Sequence, residues 1–177
     1  MPVPSLTETF LGAPFARPGP GLTARYAFLG VPFGVLYDER DAASSAHAAA
    51  PAAVRAASQV YAGALHHFDF DLGAPPFPEG VAGQLVECGD IGDLRRPRAS
   101  AADVTAAVRT IVAAGAVPLV VGGAHSIPPL VVRGLPADEP LDVLHIDAHL
   151  DYRDEVDGVP DGFSSPIRRL RDLPFVR

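Results

Sequence analysis

The chain has 177 residues, 48% of them apolar, which is enough for one domain that withdraws roughly two-thirds of its surface from water on folding. Fourteen basic residues against twenty-one acidic ones leave a net charge of -7, and the basic residues gather only at Arg95-Arg96-Pro97-Arg98 and around Arg168 and Arg169, so nucleic acid is excluded as the expected partner. A single cysteine, Cys88, rules out an internal disulfide and a thiolate zinc cage, and no apolar run nears the ~20 residues that span a bilayer.

The start, Met1-Pro2-Val3-Pro4-Ser5, lacks the pattern of a secretion signal, so a cytoplasmic protein with no membrane association is expected. Residues 1–25, rich in proline and glycine, predict an irregular arm rather than a packed element. From Tyr26 to Val31 a short apolar run ended by Pro32 predicts a buried strand, and Pro51 to Ser58 predicts a helix with proline in its first turn. The stretch from His66 to Pro78 reads as a loop, and Gln84 to Cys88 as a second strand closed by Gly89 and Asp90. Ser100-Ala101-Ala102-Asp103 resembles a capping box that opens a helix with Val104, Val108, Ile111 and Val112 on its apolar face and Gly115 as its stop.

Val117 to Val121 predicts a third strand, Ser126 and Pro128 the start of a short helix, and Leu141 to Ile146 a fourth strand. Strands apolar on both faces that alternate with helices predict an α/β domain over residues 26–177, a mainly parallel sheet covered by helices on each side. Ligands of such sheets bind beyond the carboxyl ends of the strands, and two predicted strand ends deliver polar side chains there: His125 after Val121, and Asp147 after Ile146.

Asp147, His149 and Asp151 are spaced at i, i+2 and i+4, which aims all three at one side of an extended chain. With His125 they make an imidazole and carboxylate set without thiolates, suited to manganese, iron, nickel, cobalt or zinc, and its carboxylate share favours manganese. A carboxylate that bridges two ions allows a binuclear site in which a shared water is deprotonated near neutral pH, so hydrolysis is the natural reaction class. The competing reading of the triplet is structural, with Asp147 as a helix cap and His149 as a surface histidine.

Gly122-Gly123-Ala124-His125-Ser126 and His145-Ile146-Asp147-Ala148-His149-Leu150-Asp151 resemble two signatures of the ureohydrolases, the superfamily of arginase, agmatinase and formimidoylglutamase. Weaker likenesses to agmatinase-like members occur at Thr9 to Gly12, Phe28 to Phe33, Pro51 to Ser58 and Glu87 to Ile91. The resemblance implies a three-layer α-β-α fold and a binuclear Mn2+ site that hydrolyses a linear guanidino substrate to urea and an amine through a bridging hydroxide. By position, His125 and Asp151 would bind one ion, His149 the other and Asp147 both, with Asp147 and Asp151 the catalytic carboxylates. It also implies a homo-oligomer, a trimer or hexamer.

The chain departs from that pattern in several places. No Ser-x-Asp-x-Asp segment follows the first metal motif, which fits the N-terminal portion of the usual fold and leaves four ligands of an expected six. Ala124 stands where aspartate is usual, a loss expected to weaken metal affinity or misplace His125. Gly34 replaces another common aspartate, Ser45-Ala46-His47 replaces a Gly-Ala-Arg stretch, and Phe163 stands in for a histidine. Two other readings therefore stand beside hydrolysis of a guanidine: a silent assembly or regulatory protein with a partial metal site, and formimidoyl hydrolysis. Among the remaining candidates, His145 is expected to point away from the site, Asp90 to cap a turn or helix, Cys88 to fill core, and His66-His67 to lie in a loop.

Overall fold

Ala27, Phe28, Leu29 and Val31 have no polar alternation among them, and the strand they form, β1 (Tyr26–Val31), is buried on both faces, as the middle strand of a parallel sheet must be. The computed structural model describes residues 8–37, 43–92 and 97–177. Residues 1–7 of the expected arm, and Arg95 and Arg96, lie outside them. β2 (Leu85–Asp90) pairs with β1 in parallel, Tyr26 opposite Leu85 and Phe28 opposite Glu87, with a register shift before Gly30 meets Asp90. β3 (Val117–Gly122) lies on the other side of β1, giving the order β2-β1-β3. Val117 N–H donates to Arg25 O and Gly123 N–H to Val31 O, so β3 runs in the same direction as β1.

The helices are α1 (Ala43–Ala48), α2 (Ala50–Ala62), α3 (Pro97–Ala113), α4 (Pro128–Val132) and α5 (Pro166–Arg171). The α/β class with a parallel sheet is thus as the strand composition predicts. α2 runs past the expected Ser58 to Ala62 and buries Pro51, Arg55 and Ser58, which fall on one face at i, i+4 and i+7. α3 begins earlier than the capping box implies. Proline fits the first helical position, where a missing N–H costs nothing, so the helix starts at Pro97 and Ser100 falls inside it, 3% exposed. Its end is as expected: Gly115, at φ +83, donates to Val112 O while Ala116 N–H reaches back to Ile111 O.

Backbone contacts group the chain into two units: Met1–Gly30, Pro51–Asp90 and Thr110–Val121 in one, and Val31–Ala50, Ile91–Arg109 and Gly122–Arg177 in the other. The core of the first is built on Ala13, Phe28 and Leu85, with Phe10, Leu11, Tyr26, Val54, Val81 and Val121 against it. Apart from a short 3-10 turn at Phe10–Gly12 its described segment before β1 is irregular, as expected, yet it packs, contrary to the expectation that it is not a packed element. Phe10 stacks on Phe28 at 4.5 Å, its N–H donates to Glu87 Oε2, and Ala16 N–H donates to Glu87 O.

Leu141 to Ile146, expected as a fourth strand, forms none. Leu141 alone finds a backbone partner, bridging to Val176, while Leu144 and Ile146 are 86% and 89% exposed. Apolar residues make a strand only where a ladder and a covered face await them, and neither is present at this run. Among the described residues no helix is long and apolar enough to cross a membrane.

Candidate metal centre

The turn that follows β3 is set by backbone contacts. Ala124 N–H donates to Phe33 O, and a Cβ on Gly123 would press on Phe33 O at 2.6 Å, so only glycine fits there. Ser126 Oγ accepts Val35 N–H at 2.8 Å. Between these anchors His125 is presented, its ring 35% exposed.

Asp151 reaches His125 from a second loop. Its φ is +44, in the left-handed region that aspartate tolerates better than most residues. Its carbonyl accepts Ile167 N–H at 3.1 Å, and its side chain, 12% exposed, sets Oδ2 2.5 Å from His125 Nδ1. Asp147 Oδ2 is 3.6 Å from the same nitrogen and 3.7 Å from His145 Nε2. The carboxyl of Asp147 is held below the usual carboxylate range, first by the backbone N–H of His149, with the His149 ring and the facing His125 and His145 adding to it.

One ligand atom from each of His125, His145, Asp147 and Asp151 lies within 4.8 Å of the others. The structure therefore brings together three of the four expected groups and adds a fourth. His145, expected to point away, stacks on His125 at 5.5 Å, and its buried Nε2 has no hydrogen-bond partner. The signal for it is residue type and nearness: an imidazole two positions before Asp147 in the same motif. His149 is not in the group: its side chain is 79% exposed and its Nδ1 sits 3.2 Å from Asp147 Oδ1. The expected convergence of positions 147, 149 and 151 fails at its middle member because the segment is not a strand, so i, i+2 alternation does not govern it.

Two imidazoles, two carboxylates and a buried nitrogen without a hydrogen-bond partner fit a divalent cation, and nothing in the set requires a soft metal. The other candidates have structural occupations. Asp90 Oδ1 lies 2.7 Å from Arg55 Nη1, an ion pair rather than the expected cap. Asp69 Oδ1 accepts the N–H groups of Asp71 and Leu72, closing a turn in the loop that holds His66 and His67. Cys88 is 6% exposed, and burial pushes its thiol up to about 12.

The departures at Gly34 and Ala124 touch each other. A Cβ on Gly34 would overlap that of Ala124 and meet its backbone nitrogen at 3.0 Å, so a small residue at one position requires the other to be small. Phe163, 37% exposed, leans on the ring of Tyr37 with centroids 4.5 Å apart.

A family model described as "Arginase family" matches residues 24–176. The mitochondrial agmatinase of Gallus gallus is 30% identical over 166 residues, which are 93% of this chain and 45% of that protein. The agmatinase of Bacillus anthracis is 33% identical over 105 residues, 59% of this chain and 31% of that protein. In fold the chain is similar to proclavaminate amidino hydrolase from Streptomyces clavuligerus, with a TM-score of 0.73 and 23% identity over 96% of this chain and 52% of that one. The chain spans about half, 45%, of the length of the Gallus gallus agmatinase.

Proposed function

The chain belongs to the arginase family, and from that premise we propose that it is a manganese-dependent hydrolase of a linear guanidino compound, of the agmatine or guanidinobutanoate type. The observation that carries the reading is the convergence of donors from His125, His145, Asp147 and Asp151 within 4.8 Å. A divalent ion held there supplies positive charge that raises the acidity of water and stabilises charge developing at the attacked carbon.

The remaining work falls to the chain's own groups. Asp147, with its carboxyl held low, is anionic at neutral pH and serves both as ligand and as a counter-charge to a cationic guanidinium. Asp151, 2.5 Å from His125 Nδ1, fixes the direction of that imidazole and supplies the second carboxylate. His149 holds the Asp147 carboxylate through its backbone N–H at 2.9 Å and its ring Nδ1 at 3.2 Å, while the ring stays exposed. A net charge of -7 draws cations toward the protein. Overall, the oxygen of water adds to the guanidinium carbon, the bond from that carbon to the alkyl nitrogen breaks, and the departing nitrogen takes both protons of the water, giving urea and the protonated amine.

A homo-oligomer and a cytoplasmic setting belong to the same proposal. The test is to incubate the manganese-loaded protein with agmatine, 4-guanidinobutanoate and a formimidoyl compound and to identify products by mass. Urea supports the proposal, whereas formamide alone moves the reaction to the formimidoyl class. Neither product from a metal-loaded chain leaves the silent assembly or regulatory protein.

A further inference from the structure

The loop that carries Asp151 is laced to the loop that leads into α5. Ile167 N–H donates to Asp151 O at 3.1 Å, and two residues further on Arg153 N–H donates to Ser164 O at 3.1 Å. Ser164 N–H donates in turn to the Tyr37 hydroxyl at 2.9 Å, a contact across 127 positions of sequence. The Tyr37 ring lies so close over Gly162 that any Cβ there would collide with it, and it leans on Phe163 at 4.5 Å. Tyr37 is thus seated by its ring and ties down the 162–164 turn by its oxygen.

The left-handed backbone of Asp151 needs such a restraint. An aspartate at φ +44 relaxes to ordinary conformations unless its surroundings over-determine it, and relaxation would swing its carboxylate away from His125. We propose that Tyr37 is a positioning residue for the metal centre: through Ser164 and the 162–167 turn it holds Asp151 in the conformation that aims its carboxylate at His125. The role rests on the reading of the four side chains as a metal centre, but its geometric part is measurable without metal.

The variant Tyr37→Phe keeps the ring packed on Phe163 and Gly162 and removes only the oxygen. The expected result is an unchanged far-UV circular dichroism spectrum, manganese bound about threefold to tenfold more weakly, the factor that one lost hydrogen bond carries, and altered visible bands of the cobalt(II)-loaded protein. A residue that merely fills space would leave the cobalt bands alone. In the metal-free chain the variant should also shift the His125 imidazole nitrogen resonances, because the contact with Asp151 is loosened. Retention of the manganese affinity, cobalt bands and His125 resonances of the unmodified chain would overturn the proposal. If the unmodified chain binds no metal, the reading of the centre fails, and the His125 resonances alone decide the positioning role. Should Tyr37→Phe not fold, Phe163→Leu, which removes the ring that Tyr37 leans on, is read by the same signals and should change them less. No change there also overturns the proposal.

Discussion

Replacing Arg55 with methionine removes one half of a buried ion pair and leaves the other half behind. Arg55 is 2% exposed and Glu87 0%, and they meet through Nε to Oε2 and Nη2 to Oε1, both at 3.0 Å. Glu87 keeps the backbone N–H groups of Phe10 at 3.1 Å and Gly89 at 2.7 Å, while Asp90 loses its 2.7 Å contact with Arg55 Nη1. A buried carboxylate stripped of its cation costs about 3–5 kcal/mol, and the surviving N–H donors place the expected loss near the lower end. At ~2–4 °C per kcal/mol for a chain of this size, the unfolding midpoint should fall by roughly 6–12 °C. Arg55→Lys restores the charge without the planar fork and should lose about half as much. Thermal unfolding followed by circular dichroism measures both. A fall under ~2 °C for Arg55→Met, or a lysine variant as unstable as the methionine one, would refute the argument that this charge requires this partner.

Three further outcomes follow from the geometry. Gly34→Ala should destabilise by about 1–3 kcal/mol through overlap with Ala124, and Ala124→Gly should recover part of it in the double variant; simple additivity of the two denaturation free energies contradicts the contact. Asp147 should titrate below an ordinary aspartate in a carbon-13 carboxyl experiment, and His149→Ala should remove only part of the shift because the backbone N–H is its first cause. Since the folded value is the lower one, the stability that Asp147 contributes is present above the ordinary carboxylate range and lost as pH falls through the folded value, and an unshifted midpoint contradicts this. Cys88, with its thiol raised to about 12, should resist alkylation at pH 8 in the native protein and react fully in denaturant; rapid native labelling would place it elsewhere.

The sheet is legible in its apolar runs: Tyr26–Val31, buried along its length, matches the expected strand to the residue, and Val117–Gly122 matches to within one although Val117 and Leu119 stay exposed. Gly115 was legible as a helix stop because only a left-handed residue closes that motif. The run from Leu141 to Ile146 misled, since apolar composition records a tendency to be covered and not the neighbour that covers it. That error carried into the site. Strand alternation aims His149 inward with Asp147 and Asp151, and the structure leaves its ring 79% exposed, while His145, expected outward, joins the group. His125, Asp147 and Asp151 were legible from residue type and spacing. The role of Tyr37 was not, because its hydrogen bond to Ser164 joins positions that only the fold brings together.

Manganese binding by equilibrium dialysis, on the unmodified chain and on His125→Ala and Asp151→Asn, tests the metal centre most directly. The account predicts saturable binding by the unmodified chain and a loss of about tenfold or more in each variant, since each removes a ligand from a cluster within 4.8 Å. No saturable binding, or binding that both variants retain, would contradict it.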